Sequence, residues 1–172
     1  MSETYPPGLI ADVLRSARTI AVVGASANPQ RPSSFVIADL AKKGYDVVPI
    51  NPGRAGSTIM GLPCFATLAD VPRPIDMVDV FRRAEAVPAV LDEALALAPR
   101  PQVLWLQLGI VHMEAAERAR AAGMVVIQDR CPKIEFGRLS GESGRMGIAS
   151  GIVSARRRVA GGRMQSLGLP RG

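Results

Sequence analysis

The sequence predicts a doubly wound α/β domain: a mainly parallel sheet flanked by helices. Three observations predict it. Short runs rich in Val and Ile alternate along the chain with amphipathic segments about ten residues long. The runs are apolar almost throughout rather than at every second position, as in strands covered on both faces. The chain of 172 residues has the length of one compact domain.

Taken in order, Leu9 to Ala17 reads as a short helix after Pro6-Pro7-Gly8. Thr19-Ile-Ala-Val-Val-Gly24 is a β-branched apolar run ending in Gly, a buried strand. Ser33 and Ser34 offer N-caps for a helix through Lys43, and Gly44 suits its C′ position. Tyr45 to Ile50 is a second strand, with Pro49 placing it near an edge. A Gly/Pro-rich loop runs from Asn51 to Pro63, Cys64-Phe65 is a candidate short strand, and Thr67 to Asp70 one helical turn. Met77 to Phe81 is a strand, and Pro88 opens a helix to Ala98. Gln102 to Leu106 is a strand, Met113 to Ala122 a helix stopped by Gly123, and Met124 to Ile127 the last strand. Strands joined by helices of this length make right-handed βαβ units, so the fold is Rossmann-like. Residues 1–139 are expected to form this domain. Residues 140–172 hold eight glycines, six arginines and no aromatic residue, and are expected to be a partly disordered tail.

The net charge of +6 invites a nucleic-acid reading until the charge is located. All fifteen acidic residues precede residue 151, where sixteen basic ones balance them to +1. Arg156, Arg157, Arg158, Arg163 and Arg171 supply the rest from the tail. No aromatic residue accompanies that run to stack on bases, so nucleic acid is not the expected partner. No apolar stretch approaches the ~18 residues a membrane helix needs. The first residues show neither the basic nor the apolar part of a secretory signal. Cys64 and Cys131 make neither a disulfide framework nor a four-ligand metal site, which fits a reducing cytoplasm.

In open α/β sheets the ligand lies beyond the carboxyl ends of the strands. Gly24 begins a strand-to-helix loop suited to phosphate capture, since helix N-termini attract anions. The loop lacks G-x-G-x-x-G, and Asn51-Pro52 stand where a nicotinamide dinucleotide site carries an acid. Arg31, Arg54, Arg82 and Arg83 fall at strand ends or in the loops after them, where guanidinium forks hold phosphates. The pattern points to a phosphorylated nucleotide ligand without a nicotinamide signature.

Seven ordered stretches carry a resemblance: Ile20 to Ser26, Arg31-Pro32-Ser33, Gly44-Tyr45, Pro49 to Pro52, Asp76 to Arg82, Trp105 to Gly109 and Cys131 to Glu135. In this order, across Ile10 to Leu139, they resemble the stand-alone CoA-binding proteins. Those are related to the CoA-binding domain of the succinyl-CoA synthetase alpha subunit and of ADP-forming acyl-CoA synthetases. The resemblance implies coenzyme A, or acyl-CoA, as ligand. It implies that Gly24, Ala25 and Ser26, with the loop through Asn28, Arg31, Pro32 and Ser33, take the pyrophosphate. Asn51 and Pro52 would border the adenosine, and Arg54 would replace a phosphate-binding lysine of the synthetases. Phe81, Arg82, Leu106, Gln107 and Leu108 would line the same cleft.

No catalytic constellation is visible. His112 precedes a helix and reads as a surface or capping residue; the phosphohistidine of the synthetases belongs to a domain this chain lacks. Cys131 reads as a small buried residue, with a mixed disulfide to the pantetheine thiol as the sharper alternative. Asp76 reads as a strand-end cap, Asp79 as a buried hydrogen-bonding group and Trp105 as core. The expected function is CoA binding without chemistry of its own; the alternative is a CoA-binding subunit of an acyl-CoA synthetase-type enzyme. A protein partner or a homo-oligomer stays open, because apolar helix faces serve either a core or a partner.

Overall fold

The computed structural model describes residues 3–145. Twelve elements follow in chain order: α1 (Leu9–Ser16), β1 (Thr19–Val23), α2 (Pro32–Lys42), β2 (Asp46–Ile50), β3 (Thr58–Ile59), β4 (Leu62–Pro63), β5 (Met77–Val80), α3 (Val87–Leu95), β6 (Val103–Leu106), α4 (Met113–Ala121), β7 (Val125–Ile127) and α5 (Pro132–Arg145). Short 3₁₀ turns occupy Pro52–Arg54, Leu68–Asp70 and Ala84–Ala86. The main sheet is parallel, in the order β2-β1-β5-β6-β7. The chain adds strands to one side of β1, then returns and builds on the other side. The direction of winding therefore reverses between β1 and β5, which is where such sheets open a ligand crevice.

Alternation along each strand makes two cores. Ala21 and Val23 of β1, Val78 and Val80 of β5, and Leu104 and Leu106 of β6 face α3 and α4. Ile20 and Val22, Met77, and Val103 and Trp105 face α1, α2 and α5. Coverage on both faces explains why the strands are apolar at nearly every position. Trp105 is fully buried, and its indole N–H donates to the Arg130 carbonyl at 2.8 Å. Asp76 caps the opposite end of the sheet, accepting from the N–H groups of Arg18 and Thr19 at 2.8 and 2.9 Å.

Several elements differ from their expected form. Ser33 and Ser34 are not N-caps: Pro32 is already helical and Arg31 holds the cap position without a side-chain bond. Both serines are buried and turn instead toward the loop after β1. Cys64-Phe65 is not a free-standing strand. The antiparallel pair β3–β4 precedes it, and Phe65 makes a single bridge to Ile50. Helix α3 ends at Leu95, before the expected Ala98. Helix α5 had no counterpart among the expected elements. It runs past residue 139 to Arg145 and is docked by Phe136, whose ring meets Tyr45 edge-on at 6.2 Å with the Lys43 ammonium 4.8 Å from its centre. The remainder of the expected tail, 146–172 with its arginine run, lies outside the described residues.

One glycine sets the geometry of the crevice. Gly24 has φ +91°, and a Cβ there would stand 2.9 Å from the Phe81 carbonyl oxygen and 3.1 Å from Cδ of Arg82. Its N–H and that of Ala25 both reach the Ile50 carbonyl, at 3.2 and 3.3 Å. Residue 24 is thus wedged between the ends of β2 and β5. Gly24→Ala is expected to lower unfolding free energy by about 1–3 kcal/mol in urea titration, from a left-handed residue with a side chain plus a backbone clash. An unchanged midpoint would show that the neighbouring strand ends move apart freely.

Candidate functional site

The loop after β1 is held from inside by polar bonds. The Ser33 hydroxyl accepts from the Ser26 N–H at 3.1 Å. The Ser34 hydroxyl donates toward the Ser26 and Asn28 carbonyls at 3.1 and 2.8 Å. The Asn28 N–H donates to the Ser26 hydroxyl, and the Asn28 side chain accepts from the Gln30 N–H. The start of α2 therefore dictates the path of the loop that leads into it, and helix-start N–H groups lack intrahelical acceptors. Asn51 ties this loop to the next one. Its amide donates to the Ala25 carbonyl at 2.8 Å, and its carbonyl oxygen accepts from the Gly53 N–H at 2.8 Å.

Between these loops and α3 lies a cavity of about 310 Å³. It brings together Gly24, Ala25, Asn51, Pro52 and Arg82 of the expected site. Its far wall is α3 and the turn before it, through Ala86, Ala89, Val90 and Glu93. Sequence reasoning missed that wall. The signal was present: small or acidic residues at 86, 89 and 93 repeat at helical spacing just after a strand end. Ser26, Asn28, Arg31, Pro32 and Ser33 sit in the adjoining loop and helix start, and Arg54 ends the turn after Asn51. Phe81 is half-buried directly after β5.

Three expected residues stand apart from the cavity wall. Leu106 is fully buried in the core under α3 and α4. Gln107 is buried, and its amide donates to both oxygens of Asp79 at 3.1 and 3.2 Å. Leu108 is exposed in the loop beyond β6. Strand alternation explains the split: successive residues leaving a buried strand enter core, core and solvent in turn.

The four arginines are distinguished by what they lack. Among the described residues, Arg15, Arg73, Arg118, Arg120 and Arg138 hold carboxylates, and Arg100 and Arg130 hold backbone carbonyls. Arg31, Arg54, Arg82 and Arg83 hold neither, and all four are exposed. Arg18, at the opposite end of the sheet, also holds neither. Exposed guanidinium groups at one edge, none of them in an ion pair, make a field for anionic groups, with Glu93 the acidic member of the cavity that Arg82 lines.

The titratable residues that tempt a catalytic reading are otherwise engaged. The His112 Nδ1 accepts from the Ala115 N–H at 3.1 Å as the N-cap of α4. Burial pushes the Cys131 thiol up, against the opposing N–H groups of Ile134 and Lys133. It pushes the Cys64 thiol up as well, and the thiol donates to the Asn51 carbonyl. Neither thiol is poised as a thiolate.

The family model described as a CoA binding domain matches residues 18–137. The chain belongs to this CoA-binding domain family. It is 37% identical over 126 residues to the uncharacterized protein YneT of Bacillus subtilis, covering 73% of this chain and 90% of that protein. A Thermus thermophilus structure, cell-free ID.343, superposes with a TM-score of 0.73 at 39% identity, covering 78% of this chain and 99% of the other. An ADP-forming acetate–CoA ligase II of Archaeoglobus fulgidus is 30% identical over 78 residues, which is 44% of this chain and 11% of the ligase. The family is thus related to acyl-CoA synthetases, and this chain matches only a small part of the ligase's length. No helix among the described residues is long and apolar enough to cross a membrane.

Asp79 carries a measurable consequence. It lies fully buried in β5, and burial pushes its carboxyl up to about 8 against the bond from Gln107. An unfolded aspartate titrates near ~3.9. Between these values the folded chain holds one proton more than the unfolded chain. The stability this proton confers is complete below about pH 4 and is lost as pH rises toward 8. Asp79→Asn removes the titration. Wild-type urea midpoints are expected to fall between pH 5 and 8 while those of the variant fall less, the two diverging by on the order of 1–3 kcal/mol. Parallel pH profiles would show that Asp79 is ionised in the folded protein.

Proposed function

We propose that this protein binds coenzyme A, or its thioesters, at the carboxyl edge of the sheet, as a cytoplasmic binding module without chemistry of its own. The observation that carries this reading is the set of four exposed arginines outside any ion pair in the loops after β1, β2 and β5, one of which, Arg82, lines the crevice. Coenzyme A carries a pyrophosphate and a 3′-phosphate, and arginine suits phosphate geometry better than any other side chain. The cavity beside Gly24 and Asn51 has a wall of Ala and Val side chains with Glu93 beside them, which suits a flat, weakly polar base carrying an amino group. Arg54 ends the turn after β2, so its charge lies at the same edge of the sheet as the start of α2.

Family membership supports the ligand class, and the acetate–CoA ligase relative favours a second reading. In it the chain serves as the CoA-binding partner of a separate acyl-CoA synthetase-type subunit. ATP-dependent acyl-CoA formation that requires both chains distinguishes it from a binding module.

Calorimetric titration tests the proposal. Coenzyme A is expected to bind, dephospho-CoA to bind more weakly, and both to weaken as salt is raised. Arg54→Ala and Arg82→Ala are each expected to cost about 1.5–3 kcal/mol of binding, roughly ten- to a hundredfold in Kd. Absence of binding at millimolar coenzyme A would reject the proposal.

A further inference from the structure

Large apolar side chains are exposed unevenly on this protein. Six are exposed among the described residues: Phe35, Met60, Leu108, Val111, Met113 and Ile134. All except Met60, at the β3–β4 turn, stand in loops or helix starts at the carboxyl edge of the main sheet. Three of them fall within one six-residue stretch after β6: Leu108 is 56% exposed, Val111 37% and Met113 53%. Single exposed apolar residues are ordinary, but several gathered at one edge mark a contact surface.

This stretch is held in place rather than loose. The Gly109 N–H donates to the Asp129 carboxylate at 2.6 Å, and the Ile110 N–H to the Gln107 carbonyl at 2.9 Å. The His112 N–H donates to the side chain of buried Gln128 at 2.8 Å. Asp129 itself adopts a left-handed conformation (φ 57°), which is costly for a residue with a side chain. The backbone is thus satisfied by the β7 loop while the apolar side chains are left facing water. Met113 also stands over Gln128, whose amide lies 3.7 Å from its sulfur.

The edge is therefore zoned along the sheet. Loops after β1, β2 and β5 carry the four arginines outside any ion pair; the loop after β6 carries three of the five exposed apolar side chains of this edge, with Phe35 at the start of α2 and Ile134 at the start of α5. Neighbouring strands lie about 4.8 Å apart, so the β6 loop is roughly 10 Å from the β1 loop across β5. A CoA thioester has the same polarity along its length: three phosphates at one end and an acyl group at the other. Its pantetheine arm spans more than two strand spacings.

We infer that the Leu108–Met113 loop is the acyl subsite, and that the preferred ligand is a CoA thioester with an apolar acyl chain rather than free or acetylated coenzyme A. This rests on the CoA reading above. The arginine zone anchors the phosphates, the arm crosses the end of β5, and the chain covers Leu108, Val111 and Met113. Charge at one end and apolar contact at the other select a thioester over a nucleotide alone.

The test is calorimetric titration of the full chain with CoA, acetyl-CoA and octanoyl-CoA, each below its micellar concentration. Octanoyl-CoA is expected to bind at least about tenfold more tightly than CoA, with acetyl-CoA close to CoA. The double variant Val111→Ser, Met113→Ser is expected to hold CoA within about twofold of wild type and to lose the octanoyl gain. CoA binding without any octanoyl gain overturns the subsite and leaves the CoA reading standing. An octanoyl gain that survives the double variant also overturns it, because the chain then lies elsewhere. A wild-type dimer that the double variant splits, measured by light scattering, overturns it in favour of a second copy on this patch. Binding of none of the three ligands removes the CoA reading itself.

Discussion

The end of β1 lies against the end of β5 only because residue 24 has no side chain. The Phe81 carbonyl oxygen occupies the space a Cβ would need, and the φ of +91° turns the chain away from the strand direction at that point. From this contact the rest of the edge follows. Ile50 accepts both N–H groups that leave β1, which brings the β2 loop alongside. Asn51 then bonds across to Ala25, and the Arg82 side chain lies beside Gly24. Three strand ends converge where the winding of the sheet reverses, and the crevice is the space left between them.

Charge at this edge follows a different rule from charge elsewhere on the surface. Five arginines elsewhere among the described residues are paired with carboxylates, among them Arg73 with Asp46 on the opposite edge of the sheet, Arg118 with Asp92 between α3 and α4, and Arg120 with Glu3. Such exposed pairs contribute little to stability, typically ~0–1 kcal/mol each. Their significance here is contrast, because the crevice arginines have no such matches. Buried polar groups show the reverse economy. Asp79 and Gln107 are paired with one another below the edge, and Gln128 is spent on the His112 N–H. Buried polar groups hold the loops from inside, and Arg82 lines the crevice.

Much of this was legible in the sequence. The strands showed because each is apolar on both faces, and His112, Asp76 and Trp105 take the roles their neighbours suggested. Gly24 was legible as a close approach, although the group that approaches it here is the Phe81 backbone. What escaped was set by tertiary contact. Helix α5 contains Gly137 and Gly141, each costing about 1 kcal/mol against alanine, so its local pattern does not read as helix. Packing of Phe136 on Tyr45 and Lys43 overrides that cost. The serines at 33 and 34 look like caps because caps favour serine. Pro32, with its fixed φ, starts the helix two residues before a Ser33 cap would and frees both hydroxyls for the loop. The α3 wall of the cavity is legible only once the turn at Ala84–Ala86 has set which face of the helix looks at β1.

The central claim is that the loops after β1, β2 and β5 act together as one anion-binding edge for coenzyme A. Amide NMR of the full chain titrated with coenzyme A tests it most directly. The account predicts shift changes concentrated at residues 24–34, 51–54 and 81–83, moving together with a single Kd. Changes confined to α1 or to the Arg18–Asp76 end of the sheet, or no changes at millimolar ligand, would contradict it.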